Sequence, residues 1–288
     1  MVSGEYYIAL GVTKLDEDYE NVGYLDVEKN SAYLHERVHF IQNHSTVYGV
    51  TRATYYLSQY LGMVLKVKEG EFPLSSFLPY DNEEQDFVNA LFTCSAGDTF
   101  SNDGECIQCH SIEQVVKENI YAEYYEETFP EWKDKFKEQI ILKYDNDCRY
   151  ELGGNAISES MAYLFEKFFF NSNDYSHRFP YNVCEMLYQY VVGEDCQKIT
   201  ILIALCYASM MTMWPGNAFI ELLYEFKEKK DEIQSMQDVF ELSTSKMLPI
   251  NESIITELCK RIDLVFPIEK ENPIDIFEEE SLNTHVSG

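Results

Sequence analysis

Apolar residues recur with the 3.6-residue period of an α-helix through most of the chain after residue 30. The first periodic stretch predicts a helix that is capped by Asn30 or Ser31 and runs on through 42–49. The later stretches predict further helices at 51–67, 83–92, 112–125, 131–142, 156–170, 181–192, 198–213, 218–230, 235–245 and 253–265.

Two short segments before the first helix have the composition of β-strands. Residues 5–11 and 22–28 are rich in Tyr, Ile and Val, and an acidic segment at 16–18 lies between them. They predict a small N-terminal sheet, whose edge strand could hold an extended peptide. The predicted fold class is therefore mostly α (α+β), a helical domain with a small N-terminal β-sheet.

The periodicity also suggests how the chain is divided. It weakens between 68 and 110, where prolines and an Asn-Asp-Gly turn at 102–104 indicate loops, so this stretch is a candidate lid or partner-binding insertion. Residues 268–288 are acidic and poor in core residues, which is typical of a flexible tail. We expect a single domain at 1–267.

Composition and charge narrow the choice of partners and compartment. The chain has 288 residues and a net charge of −28, which repels nucleic-acid phosphates and argues against a nucleic-acid partner. The most apolar stretch, 199–214, is too short for a membrane span and contains Ser and Thr, so we expect a core helix and no membrane partner. The eight cysteines form no compact disulfide framework, and no signal peptide is apparent, which favours reduced thiols in the cytoplasm.

The sequence His35-Glu36-Arg37-Val38-His39 is an H-E-x-x-H motif within the first predicted helix. Residues four apart lie on one face of a helix, so His35 and His39 can offer two imidazole nitrogens to one ion, and two neutral imidazoles suit Zn²⁺. Glu36 projects beside that face, where it could hold and deprotonate a water molecule. The flanking residues are largely apolar and predict a buried helix, in which these polar side chains are costly unless they are paired or bind a metal.

A catalytic zinc site needs a third protein ligand, and four residues compete for that place. His44 is weak, because five residues after His39 a side chain points almost away from the ion. His110 and His177 lie in loop-like segments and stay candidates. Glu159 is the best candidate, because it lies near the start of a helix whose other residues are nearly all apolar.

A carboxylate on such an apolar helix requires a cation. For Glu159 that cation could be a metal ion or, as the structural alternative, the guanidinium of Arg37 or Arg149.

An H-E-x-x-H motif followed far downstream by a glutamate on a second helix resembles the gluzincin branch of the zincins, which are zinc metallopeptidases. The resemblance covers the two helices, and the gap between them is longer than the thermolysin-type spacing. It implies a zincin-like catalytic domain in which His35, His39 and Glu159 bind Zn²⁺ and Glu36 is the general base. The implied reaction is hydrolysis of peptide bonds, and the acidic surface and the presumed lid favour a specific intracellular protein as substrate.

The same resemblance suggests supporting roles for other residues. Glu166, two turns after Glu159, could orient a histidine from behind or form a plain salt bridge. Tyr150, His177 and Tyr181 are candidate donors to the oxyanion that forms during hydrolysis.

Two other functions use the same residues. The chain could be a non-catalytic binding or regulatory protein that keeps the zincin helix as a scaffold, but a scaffold has no use for the Glu36 carboxylate. It could also be a zinc amidohydrolase that acts on a small amide, which a deep and narrow pocket would favour.

Cys106-Ile107-Gln108-Cys109-His110 matches the C-x-x-C-H pattern of haem attachment. Haem is attached outside the cytoplasm, so we expect no haem here. A structural zinc would need two more ligands, for which Cys94 and Cys148 are available. We interpret these cysteines as ordinary thiols.

Overall fold

The fold is a mostly helical α+β structure, as the sequence predicts. A computed structural model describes residues 4–7, 12–15, 27–68, 83–98, 106–119, 136–146, 148–171 and 177–244. The chain divides into two compact units, one of 1–57 and 78–250, and one of 58–77 and 251–288. Of the second unit, only 58–68 is among the described residues.

The described residues form eight helices and seven strands. The helices are α1 (Val27–Ser45), α2 (Val47–Lys68), α3 (Glu83–Ala96), α4 (Gly154–Phe170), α5 (Val183–Val192), α6 (Ile199–Met210), α7 (Pro215–Glu228) and α8 (Met236–Ser243). The strands are β1 (Gly4–Tyr7), β2 (Val12–Leu15), β3 (Ile107–Gln108), β4 (Ile112–Glu118), β5 (Gln139–Tyr144), β6 (Cys148–Leu152) and β7 (Arg178–Phe179).

The strands form three antiparallel sheets. β1 pairs with β2 in an N-terminal hairpin that packs against α1, and β3 pairs with β7. The largest sheet has the order β4-β5-β6, and β6 leads directly into α4. This connection places the start of α4 at the edge of the sheet.

Helix α4 lies at the centre of the core and packs against α1, α5, α6 and α7. Its sequence is apolar on nearly every side, which is typical of a helix surrounded by protein. Ile157, Met161 and Leu164 are each at most 3% exposed. The helix that carries Glu159 is therefore held in place by hydrophobic contacts on several faces.

Two predicted helices are wrong: the segments at 112–125 and 131–142 contain strands β4 and β5 instead. In β5 the four residues Gln139–Leu142 are all buried, so this central strand lacks the apolar–polar alternation of a strand with one wet face. A short apolar run of this kind resembles a segment of a buried helix, and periodicity alone does not distinguish the two.

The first elements differ in their boundaries from the prediction. The second hairpin strand is Val12–Leu15 and not 22–28, of which only Val27 and Glu28 are described, as the first residues of α1. Asn30 and Ser31 therefore lie inside α1 and are not its cap. Ser31 instead donates a hydrogen bond from Oγ to Oε2 of Glu166 on α4. The predicted helix at 253–265 and tail at 268–288 lie outside the described residues.

The other helix predictions are confirmed to within a few residues at their ends, including that of α4. In the part of the chain that the structure describes, no helix has both the length and the apolar character that a membrane crossing requires.

Candidate metal centre

Helices α1 and α4 lie side by side along much of their length, and this contact brings the H-E-x-x-H motif to Glu159. Nε2 of His35 lies 3.1 Å from Oε2 of Glu159, and Nε2 of His39 lies 3.4 Å from Oε1 of the same carboxylate. The two imidazole rings are nearly perpendicular, with centroids 4.8 Å apart. One potential ligand atom from each of the three residues thus lies within 4.8 Å of the others.

The two nitrogen–oxygen separations fit a zinc site. With bonds of 2.0–2.1 Å, the ligand atoms of a tetrahedral zinc site lie about 3.3 Å apart, which is close to both nitrogen–oxygen distances. Two imidazole nitrogens and one carboxylate are also a ligand set that catalytic zinc uses. Among the described residues, this is the one group of three or more His, Cys, Asp or Glu side chains that could hold a metal ion.

The other predicted third ligands lie elsewhere. His44 is exposed and its Nδ1 is 2.7 Å from the carbonyl oxygen of Phe40. His110 pairs with Asp145, and its ring stacks on that of His177. None of these three histidines belongs to the group at α1 and α4.

The proposed arginine partners of Glu159 are engaged with other groups. Arg149 forms an ion pair with Glu118 at 2.6 Å. Arg37 is exposed and lies over the ring of Phe40 at 4.9 Å. Glu159 therefore faces imidazoles rather than a guanidinium.

Glu166 supports His35 from the side opposite to Glu159. Its Oε1 lies 2.5 Å from Nδ1 of His35, and its Oε2 accepts the Ser31 hydroxyl at 2.6 Å. The sequence left two roles open for Glu166, and this contact favours the role in which Glu166 orients a histidine. Because a carboxylate only accepts, Nδ1 of His35 carries a proton and Nε2 is the nitrogen that faces Glu159.

His39 has a different pair of neighbours on its Nδ1 side. Nδ1 lies 2.8 Å from Oε1 of Gln42 and 3.2 Å from Oγ of Ser158. The contacts of Gln42, Ser158 and Ser31 at this centre are not among those predicted from the sequence. Gln42 follows His39 by three residues, Ser31 precedes His35 by four and Ser158 precedes Glu159 directly, but this spacing indicates a contact only once α1 and α4 are known to pair.

The charges at the centre are strongly coupled. Burial disfavours the imidazolium of His35, but hydrogen bonds to Glu159 and Glu166 outweigh it and raise the pKa of His35 to about 10. Burial likewise disfavours the Glu159 carboxylate, but the charges of His39 and His35 and their hydrogen bonds lower its pKa below the ordinary range. The place between Glu159 and the rings thus strongly favours positive charge, which a proton or a metal ion can provide.

Glu36 is 8% exposed and lies beside this group on α1. No hydrogen bond or ion pair joins its carboxylate to another of the described residues. Burial raises its pKa; the two histidines oppose that shift and the two α4 glutamates add to it. A raised pKa changes a carboxylate in the direction that a general base requires.

The three candidate oxyanion donors are placed differently. The ring centroid of Tyr181 lies 5.8 Å from that of His35, and the ring centroid of Tyr163 lies 6.3 Å from that of Tyr181. Tyr150 is fully buried and donates its hydroxyl to the carbonyl oxygen of Asp98, while His177 stacks on His110. Of the three, Tyr181 is the one in contact with a ring of the centre.

The C-x-x-C-H segment lies apart from the metal group. All seven described cysteines are free thiols. Burial raises the pKa of Cys109 to about 12, which leaves it protonated at neutral pH and poor as a ligand or nucleophile. No second metal group that includes these cysteines is present among the described residues.

Comparison with known proteins adds no relative: no family model matches the chain, and neither curated proteins nor solved structures give a significant match. The geometry of the metal centre is therefore the available indication of function.

Proposed function

We propose that this chain is a zinc-dependent metallopeptidase that hydrolyses peptide bonds of an intracellular protein. One observation carries the proposal: a buried glutamate with a raised pKa lies beside two imidazoles whose Nε2 atoms face the carboxylate of Glu159. Three zinc ligands and one carboxylate that does not bind the metal are the parts that such hydrolysis needs.

His35, His39 and Glu159 would hold the zinc ion. Bound there, zinc supplies Lewis acidity, which lowers the pKa of a water molecule and polarises a carbonyl group. Zinc is favoured over harder cations because two of the three ligands are imidazoles.

Glu36 accepts the proton of the attacking water as the water adds to the carbonyl carbon of the substrate. It then passes that proton to the amine nitrogen, and the bond between the carbonyl carbon and the nitrogen breaks. Tyr181 is placed near His35, where its hydroxyl is a candidate donor to the oxyanion. Solvent can reach the proposed zinc ligands, since the Glu159 side chain is 21% exposed.

Metal analysis combined with a Glu36→Gln variant tests this proposal. The unaltered protein and the variant should both purify with one zinc ion per chain. Only the unaltered protein should generate new N-termini when it is expressed in a host cell or incubated with a peptide library. The variant should lose activity by a factor of about 100 or more.

Glu232→Gln is the matched control, because it makes the same charge change at an exposed position of the same protein. It should cleave as the unaltered protein does. If the unaltered protein and the Glu232→Gln control both bind zinc at full occupancy but cleave nothing, the non-catalytic alternative would be favoured. Hydrolysis of small amides without cleavage of peptides would favour the amidohydrolase.

A further inference from the structure

We infer that Gln42 and Ser158 are positioning residues of the metal centre, which hold the His39 ring in the one tautomer that can bind a metal through Nε2. The inference rests on the proposed function, because it assigns these residues a role toward a metal held by His35, His39 and Glu159.

The side-chain amide of Gln42 has one orientation. Its Nε2 donates to the main-chain oxygen of Ser158 at 3.0 Å, and its Oε1 accepts the Ser158 hydroxyl at 2.6 Å. If the amide were turned over, its oxygen would face the main-chain oxygen of Ser158, and two acceptors cannot form a hydrogen bond, so this buried contact fixes the orientation. The oxygen of Gln42 is therefore the atom that faces His39.

This orientation determines which nitrogen of His39 carries a proton. Nδ1 lies 2.8 Å from Oε1 of Gln42, an atom that only accepts hydrogen bonds. The Ser158 hydroxyl gives its hydrogen to the same oxygen, so at 3.2 Å from Nδ1 it too can only accept. Nδ1 must then be the donor, and in the neutral ring the lone pair lies on Nε2, which faces Oε1 of Glu159 at 3.4 Å.

Burial makes this arrangement hard to replace. Gln42 is 0% exposed and Ser158 is 4% exposed, so water cannot readily take over either partner of Nδ1. The same pair joins α1 at the level of His39 to the residue that directly precedes Glu159 on α4. It therefore aligns both a ligand nitrogen and the helix that carries the ligand carboxylate.

The two histidines have unlike supports. His35 is held by a carboxylate, Glu166, whereas His39 is held by a neutral amide and a hydroxyl. A fourth carboxylate beside Glu36, Glu159 and Glu166 would add to the like-charge repulsion in a buried site. The neutral pair orients His39 without that repulsion.

The zinc affinity of a Gln42→Met variant, measured by competition with a chromogenic chelator, tests the inference. Methionine keeps the length of the side chain but offers Nδ1 no comparable acceptor. We expect zinc to bind about 10- to 100-fold more weakly. Ser158→Ala keeps the Gln42 amide bonded to the main chain and should weaken zinc binding less.

Asn43→Leu is the matched control, because Asn43 is buried on α1 and bonds the main-chain oxygen of His39 rather than its ring. It should lower the melting temperature but leave the zinc dissociation constant within about twofold. A merely structural role of Gln42 predicts that the Gln42 and Asn43 variants behave alike.

Long-range ¹H–¹⁵N NMR spectra of the histidine rings give a readout that does not depend on any variant folding. In the zinc-bound protein, the His39 proton should be on Nδ1, and a proton on Nε2 would overturn the inference. Equal zinc affinity of the unaltered protein and Gln42→Met would also overturn it while leaving the proposed function intact. Failure of the unaltered protein to bind zinc would instead refute the proposed function itself.

Discussion

Three carboxylates surround His35 and His39, and their surroundings give them different chemistry. Glu159 lies between the Nε2 atoms, and its pKa is lowered by the neighbouring imidazoles. Glu166 bonds Nδ1 of His35 and the Ser31 hydroxyl, so it orients a ring. Glu36 has a pKa raised by burial, which suits proton transfer. At the scale of single residues, the proposed function would thus use one carboxylate each for metal binding, orientation of a histidine and base catalysis.

Replacing Glu166 by Gln should weaken zinc binding about 10- to 100-fold, because the amide loses the charge that supports the His35 ring. Competition with a chelator measures the dissociation constant. Glu185→Gln is a suitable control, since Glu185 forms a half-buried ion pair with Lys167, the residue next to Glu166. Equal weakening by both substitutions would contradict a specific role for Glu166.

Zinc affinity should rise with pH between 6 and 8, by about tenfold per unit. The pKa of His35 is about 10, so below that pH its ring holds a proton that zinc must displace. Calorimetry in buffers of different ionisation enthalpy should therefore report release of at least one proton per zinc bound. Binding with no proton release would mean that the neighbouring glutamates do not hold a proton on this ring.

At the scale of elements, the pairing of α1 with α4 builds the centre, and the sequence predicts the helices better than their contacts. Both helices have strong apolar periodicity, and Glu159 could be singled out because a carboxylate on an apolar helix needs a cation. Gln42 and Ser158 could not be singled out, because the contacts of a polar residue on a buried helix can be predicted only when the position of the neighbouring helix is known. Strand β5 was predicted as a helix, because burial of consecutive residues removes the alternation typical of strands.

The start of α4 depends on close contact between Gly154 and the ring of Tyr48 on α2. A Cβ at Gly154 would overlap the fully buried ring of Tyr48. Gly154→Ala should therefore lower the free energy of unfolding by about 1–3 kcal/mol, as for other overpacked cores. Urea denaturation measures this loss.

Gly193→Ala serves as a comparison, because a Cβ there meets no atom within 4 Å although its φ is +88°. Its cost arises from backbone strain alone, which is about 1–2 kcal/mol. If Gly154→Ala cost less than Gly193→Ala, the contact with Tyr48 would not limit the packing of α4.

At the scale of the whole molecule, the net charge of −28 makes buried acidic groups important for stability. Oε1 of Glu151 on β6 is buried without a hydrogen-bond partner among the described residues. Burial and the nearby charge of Asp98 raise the pKa of Glu151 to about 7, while Arg149 opposes them. This carboxyl is therefore neutral in the folded protein at mildly acidic pH.

The free energy of unfolding should fall as the pH rises from about 4.5 to about 7, because Glu151 ionises readily only in the unfolded chain over this range. The stability that the bound proton of Glu151 gives to the fold is fully present below pH 4.5, the pKa in the unfolded chain, and is lost above about pH 7, the pKa in the folded protein. Relative to the unaltered protein, Glu151→Gln should gain about 1–2 kcal/mol between pH 5 and pH 8. Urea denaturation at both values measures the difference, and a gain equal to that of the exposed control Glu232→Gln would contradict it.

Zinc should stabilise the whole fold, because in the proposed site it would link α1 and α4 in the core. At a free concentration one hundred times the dissociation constant, the gain is about 2.7 kcal/mol, or roughly 5 °C or more in melting temperature. Glu36→Gln should show the same rise, whereas Glu159→Ala should show almost none. A rise that persists in Glu159→Ala would place the zinc elsewhere.

The separation of α1 and α4 along the chain has a consequence for biosynthesis. The H-E-x-x-H segment is synthesised more than a hundred residues before Glu159, and the residues of strands β3 to β6 are synthesised between them. A nascent or prematurely terminated chain that ends before α4 carries Glu36 and both histidines, but lacks Ser158, Glu159 and Glu166. Such fragments would have no complete site, so if the chain is the proposed metallopeptidase, the order of synthesis itself would keep unfinished copies inactive.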